Sequence, residues 1–452
     1  MAWLYFAILF AVIIFWFVVL KRSIIEGIWV SFAVLLTISG QWAQALTYIH
    51  TTSMNIIILT VILFMFFATL LEKTGVLEDI LDIMLALAGR FKGGAGYAAV
   101  IASGFMATMS GSVSANVAAS GSVTIPAMKK AKFSPDMAAG IVVGGSALGS
   151  GIPPSTFIII SFAYLNDMFP YTYSFSSFWT FTYYVGGVYF LHRIITVFFI
   201  IKKNRIQPMD PEDIPPIRAS LKKGWKTLFL PLVVFFPFWF NNTFGETWIT
   251  SVLGPEGAAA FGGSLIIIVP CVAIAYVFFI AKDRKKNLMP FALVENLKGT
   301  TKSLAPIVFM LAGGYAISEL FADISIMEMM QADLEGIHIP FWAVAIFLPL
   351  VLAIIGCVFD GLATLTLLGP LVLILTSSVG ISPWLSAAMM PLVIHSMSQM
   401  TPPFSPAIMV AVGIADSDLV KTFKQMLIWI TGHYAVTLLF YFGIIPIIGS
   451  IR

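Results

Sequence analysis

Two stretches of this chain, residues 94–128 and 339–377, are long enough and apolar enough to enter a membrane, yet each is broken midway by small polar residues. The first break reads SGSVSAN (110–116) and the second GCVFDG (356–361). Each stretch is followed by an apolar segment carrying a double proline, GSGIPPS (149–155) and QMTPPFSP (399–406). In hydrocarbon every backbone N–H and C=O needs a partner, so non-helical backbone at membrane depth survives only when it is buried in protein or lines a polar cavity. One proline removes an N–H and crowds the carbonyl one turn back; two in succession unwind the helix. These four breaks therefore point to an interior rather than to a simple bundle of continuous spans.

The rest of the composition fits. The chain of 452 residues is 59% hydrophobic and 10% charged, with mean hydropathy +0.96, against about 25% charge in an ordinary soluble domain. It is a polytopic membrane protein. The net charge of +3 points to no nucleic acid, and two cysteines, Cys271 and Cys357, both in apolar runs, suggest no disulfide framework. Residues 3–20 lack a basic leader and a small-residue cleavage site and are expected to be a retained span. Further spans are expected near 26–46, 55–72, 178–201, 226–241, 257–281, 303–320 and 426–449.

Lysine and arginine gather on the cytoplasmic side of membrane proteins. The clusters at Lys21–Arg22, Arg90–Lys92, Lys129–Lys132, 202–226, 282–286 and Lys421–Lys424 all fall on one side only if 94–128 enters from the cytoplasm and returns, and 339–377 enters from outside and returns. Both become re-entrant helical hairpins, and both termini are expected outside. The halves correspond at an offset of roughly 245–249 residues, each preceded by an amphipathic stretch (77–91 and 324–336). The expected fold is all-α, with two inverted-topology repeats, each holding a re-entrant hairpin and a broken transmembrane helix. The chain divides into scaffold helices (1–72), a first hairpin and broken helix (73–177), connecting and scaffold helices (178–302) with a cytoplasmic loop (202–226), a scaffold helix and arm (303–338), a second hairpin and broken helix (339–415) and a C-terminal helix (416–452).

Hydroxyls, an amide and freed carbonyls can hold a sodium ion without formal charge, and freed N–H groups attract an anion. Ser110, Gly111, Ser112, Asn116, Gly151, Gly356, Asp360 and Thr401 are the sodium candidates. Ser112, Ser114, Asn116, Pro153, Pro154, Ser155, Thr401, Pro402 and Pro403 are the substrate candidates. The bland alternative is a small-residue packing surface with proline kinks. Asp360, the only acidic residue between Glu335 and Asp416, reads as functional because intramembrane carboxylates are costly; capping a hairpin helix is the alternative. His395 reads as a neutral, hydrogen-bonded side chain and Cys357 as a small apolar residue. His50, His192, His338 and His433 lie at or near the ends of the expected spans and carry no assignment. No metalloprotease, nucleophile-elbow or Walker motif occurs, so the chain is not expected to be an enzyme and no cofactor is implied.

Residues 66–155, from FFATLLEKTGVLEDILDIML through MSGSVSANVAASGSVTIP to GSGIPPS, strongly resemble the large membrane subunit of tripartite ATP-independent periplasmic (TRAP) transporters. The likeness resumes over about 303–449 on GCVFDG and TPPFSPAIMVAVGIADSDLVKTF. By motif, Ser110, Gly111, Ser112 and Asn116 match the family's first tip, Gly151, Pro153 and Pro154 its first break, Gly356 and Asp360 its second tip, and Thr401, Pro402 and Pro403 its second break. The resemblance implies an ion-transporter-type fold with a fixed scaffold and a moving domain. It implies elevator-like, usually sodium-driven uptake of organic acids across the bacterial inner membrane, with a small four-helix membrane subunit and an extracytoplasmic solute-binding protein as partners. Asn116 stands where many members have Asp and resembles the TAXI branch instead. The early GxP signature is absent from residues 21–30, KRSIIEGIWV. Sodium or proton coupling, a stand-alone symporter or antiporter of the same wider fold, and a non-transporting structural subunit remain open at this point.

Overall fold

A computed structural model describes residues 2–110, 113–170, 172–281, 290–337, 339–358, 361–401 and 405–447. Gly111, Ser112, Asp360, Pro402 and Pro403, five of the expected site residues, lie outside the described residues, as do His338 and the side chain of Ser110.

The protein is helical throughout its described residues. It opens with α1 (Ala2–Ile14), α2 (Ile24–Ser39), α3 (Ala45–Ser53), α4 (Ile56–Thr74) and the amphipathic α5 (Val76–Ala88). The expected span 26–46 ends early because Gly40 adopts a left-handed conformation (φ 71°) that closes α2, and the chain turns into α3. Next come α6 (Gly94–Ser110) and α7 (Val113–Lys130), packed along each other, then α8 (Pro135–Ser146) and α9 (Thr156–Met168). Between α8 and α9 a short tight turn (147–151) leads into extended backbone at Ile152 and Ser155.

The middle of the chain supplies α10 (Phe175–Asn204), α11 (Ile217–Gly224), α12 (Leu230–Phe240) and α13 (Glu246–Ala281), the last kinked at Gly254, φ 75°. The rest of the chain supplies α14 (Pro290–Asp323), α15 (Ile326–Glu335), α16 (Phe341–Val358), α17 (Gly361–Ser378) and α18 (Pro383–Met390). A wide π-turn (391–396) runs into the single helical turn α19 (Met397–Met400), the backbone extends at Thr401, and α20 (Pro406–Ala415) and α21 (Leu419–Tyr441) complete the chain. Ser405 caps α20, its Oγ accepting from Ile408 N, with Pro406 opening the helix.

Among the described residues seven helices are long and apolar enough to cross a membrane, or eight if the pair Trp42–Ser53 and Ile56–Leu71, bent by 44°, is one span. Burial separates them. The apolar stretch within Pro135–Met168 is 94% buried inside the protein and that of Gly361–Ser378 78%, against 22% for Ala2–Val19 and 28% for Pro211–Gly245. The broken segment α8–α9 and the helix α17 are thus the core; α1 and α12 face outward.

The packing exchanges partners between the halves. α7 lies on α8 of its own half and on α20 of the other; α17 lies on α18 of its own half and on α9 of the other. α6 meets the turn at 147–151 and α16 meets the π-turn at 391–396, and those two turns touch. His433, expected near a span end, is instead fully buried well inside α21, because that helix begins earlier than expected, with Asp418 accepting from Lys421 N at its cap.

Candidate transport site

The two helix breaks meet at Gly151. A Cβ there would lie 2.2 Å from Leu392 Cδ2, so only glycine lets the first break reach the π-turn of the second. Ser150 Oγ donates to Pro391 O across the same contact, 3.2 Å. Pro391 explains the π-turn: with no N–H to give and a ring that crowds the carbonyl one turn back, it widens the helix, and Met397 N–H reaches Leu392 O, five residues back.

Beside this crossing is a cavity of about 590 Å³. Its walls include Val113 and Ser114 in the first turn of α7, Phe157 in the first turn of α9, Leu362 and Ala363 in the first turn of α17, and Pro406 at the start of α20. Four helix N-termini converge on one space. Each contributes a partial positive charge through its helix dipole; at α20 the Ser405 hydroxyl takes the Ile408 N–H. Phe17, Ser23, Ile24 and Ile25, at the α1–α2 junction, close another wall with Pro306, Ile307 and Met310 of α14.

Two side chains of the second break enter the cavity. His395 is buried and stacked on Phe157, with ring centroids 4.3 Å apart. Gly361 makes this possible, since a Cβ there would fall 2.0 Å from His395 Nδ1. Gln399 is 9% exposed and its Oε1 has no protein partner among the described residues, which leaves an acceptor for a donor from a bound molecule. Its own backbone carbonyl takes the Ser405 hydroxyl.

Of the site residues expected from the sequence, Ser114 lines the cavity. Asn116 sits behind it as a brace: buried, its Nδ2 donates to Ser103 O of α6 and to Ser146 Oγ of α8, both at 2.8 Å. Gly356 packs on the second break, where a Cβ would lie 2.6 Å from Ile394 O. Thr401 donates through Oγ1 to Met397 O at 2.7 Å, and Cys357 Sγ lies 4.0 Å from Thr401 O. Pro153, Pro154 and Ser155 are buried in the first break and do not line the cavity. Gln399, Phe157 and the α1–α2 junction were not among the expected residues. Gln399 lies two residues before the Thr401 motif, and its amide in an uncharged run was the signal available. Among the described residues no cluster of His, Cys, Asp or Glu could hold a metal ion.

The fold resembles two solved transporters, YdaH of Alcanivorax borkumensis (15% identity, 89% of this chain and 88% of that one, TM-score 0.64) and MtrF of Neisseria gonorrhoeae (14%, 90% and 86%, TM-score 0.64). Relatives in sequence include the C4-dicarboxylate TRAP transporter large permease protein DctM of Vibrio cholerae, 23% identical over 82% of this chain and 81% of that protein. The 2,3-diketo-L-gulonate TRAP transporter large permease protein YiaN of Escherichia coli is 23% identical over 85% and 84%, and the sialic acid TRAP transporter large permease protein SiaM of V. cholerae is 24% identical over 80% and 78%. The family profile for the DctM component of tripartite ATP-independent periplasmic transporters matches residues 1–445. The chain therefore belongs to the DctM family of TRAP transporter large permease subunits: it is a transport protein and not an enzyme.

Proposed function

We propose that this permease imports organic acids by sodium-coupled, elevator-type alternating access, with the substrate held in the cavity between the breaks. The observation that carries this reading is the convergence of four helix N-termini on one cavity that also holds an unpartnered amide oxygen. Such ends stabilise a carboxylate without a lysine or arginine, and the sequence has neither between Lys302 and Lys421. Gln399 Oε1 takes a hydroxyl or N–H of the substrate body. C4-dicarboxylates, keto-sugar acids and sialic acids, named for the relatives, are the compounds to try first.

The exchanged packing of α7 and α17 supports two inverted repeats, with 94–130 and 341–378 as re-entrant hairpins and 135–168 and 383–415 as broken spans. In this reading those segments move together against a scaffold that includes 1–72 and 303–338. Sodium binds at carbonyls near Ser110–Ser112 and Gly151, and a second ion near Asp360 and Thr401. The distribution of basic clusters supports an orientation with both termini outside the inner membrane. The cavity reaches Ser23, next to Lys21 and Arg22, so it opens toward the cytoplasm. A small membrane subunit and an extracytoplasmic binding protein complete the system, and Asn116 points to the TAXI branch.

The test is uptake into proteoliposomes holding the permease, its small subunit and its binding protein. A sodium gradient drives accumulation of an organic acid, and Ser114→Trp, which fills the cavity, abolishes it while the protein stays folded. Equal uptake with and without the cavity filled contradicts the assignment.

A further inference from the structure

Arg193 is 0% exposed in the middle of α10. Among the described residues it makes no ion pair with a carboxylate. A cation inside a membrane protein without an acidic partner is costly and marks a functional position. Its neighbours are two imidazoles: Nη2 lies 2.7 Å from His433 Nδ1 and Nη1 lies 3.2 Å from His192 Nδ1. A guanidinium can only donate, so both Nδ1 atoms accept, and both histidines are neutral with their hydrogen on Nε2. His192 Nε2 faces Thr196 Oγ1 at 3.2 Å. His433 Nε2 donates to Leu392 O at 3.1 Å. The face of Trp429 covers the guanidinium, 5.7 Å from Cζ.

Leu392 O is the carbonyl at the root of the π-turn. It already takes Met397 N–H, and the His433 bond fills its other lone pair. The Leu392 side chain rests on Gly151, while His395 and Gln399 further along present themselves to the cavity. A chain of two hydrogen bonds thus runs from a fixed positive charge to the widened turn that aims the cavity's polar groups.

We propose that Arg193 is a positioning residue of the transport site, holding His433 in the tautomer and orientation that pin Leu392 O and thereby the π-turn carrying His395 and Gln399. This rests on the cavity being the transport site, but its mechanical part is tested without substrate or sodium. The guanidinium is suited to the task because it does not lose its proton and so locks the imidazole hydrogen on the atom facing Leu392. A neutral donor in its place leaves His433 free to turn.

Cys357 is the reporter: its Sγ lies 3.9 Å from Ser398 O and 4.0 Å from Thr401 O, against the second break. In the full chain carrying Cys271→Ser, the rate of maleimide labelling of Cys357 is measured for Arg193→Gln, His433→Leu, His433→Gln and Tyr189→Phe. Glutamine at 433 can accept from Arg193 through its oxygen and donate to Leu392 O through its nitrogen. Tyr189→Phe removes the bond to Thr437 (2.7 Å) while keeping the ring that packs on His433, centroids 4.4 Å apart, and serves as a control for the loss of a neighbouring hydrogen bond. Arg193→Gln and His433→Leu are expected to raise the rate about tenfold, the change that losing one hydrogen bond to a charged group produces. His433→Gln and Tyr189→Phe stay near the parent rate. If Arg193→Gln does not fold, the His433 pair decides. Labelling at the parent rate in His433→Leu, or equally fast labelling in His433→Leu and His433→Gln, overturns the proposal and leaves Arg193 a stability residue; neither result touches the uptake test.

Discussion

Gly151 and Leu392 lie in contact across the two helix breaks, with 2.2 Å between an imagined Cβ on the glycine and Leu392 Cδ2. Through this contact each half of the chain senses the other where both have lost helical hydrogen bonds. Gly151→Ala is expected to lower stability by about 1–3 kcal/mol through overpacking. Leu392→Ala alone destabilises by leaving a void, and the double variant recovers part of the loss. Thermal unfolding of the four proteins measures this coupling; strict additivity would mean the two sites do not touch.

A second glycine tests the cavity wall. A Cβ on Gly361 would overlap the imidazole of His395, which is stacked on Phe157. Gly361→Ala is expected to abolish uptake by pushing the ring into the cavity, and His395→Ala in the same chain restores room and part of the stability. Unchanged uptake in Gly361→Ala would show that the ring's position is immaterial.

The Asn116 amide ties α7 to α6 and α8 through Ser103 O and Ser146 Oγ. Asn116→Ala is expected to cost about 1–3 kcal/mol, since it strands buried polar atoms, and Ser146→Ala less. Their double-mutant cycle has a coupling energy of about 0.5 kcal/mol or more. A coupling near zero would detach Asn116 from α8.

Much of this architecture was legible in the residues. The double prolines mark where the helices break, because lipid tolerates no unpaired backbone outside a protein interior, and α5 and α15 were visible as amphipathic segments. The end of α2 was missed because Gly40 stops an otherwise uninterrupted apolar pattern. The pairing of Arg193 with His433, 240 residues apart, is tertiary and has no local signature, although an arginine within an apolar run was a visible anomaly. The cavity's outer wall was illegible too: Phe17, Ile25 and Met310 are ordinary span residues until the fold brings them to the breaks.

The segment after α10 is fastened beneath α5. Lys223 Nζ lies 3.0 Å from Asp79 Oδ1 and 3.3 Å from Asp82 Oδ2, and Met209 N donates to Gly89 O. Lys223 is 56% exposed but Asp79 only 2%, so Lys223→Gln is expected to cost about 1–3 kcal/mol at low ionic strength because it weakens the pairing of a buried carboxylate, and somewhat less as salt rises. A loss that does not change with salt would assign the lysine a packing role instead.

The central claim is that the tips and breaks form an ion-coupled binding site, and the most direct measurement is thermal unfolding of the purified permease in sodium chloride against potassium chloride at equal ionic strength. A ligand that binds only the folded protein adds RT ln(1 + [L]/Kd), about 2.7 kcal/mol at a hundred times Kd. The expected result is a sodium-specific rise in Tm that Asp360→Ala and Ser112→Ala each reduce. Identical unfolding in the two salts, for the parent and both variants, would contradict sodium coupling at these breaks.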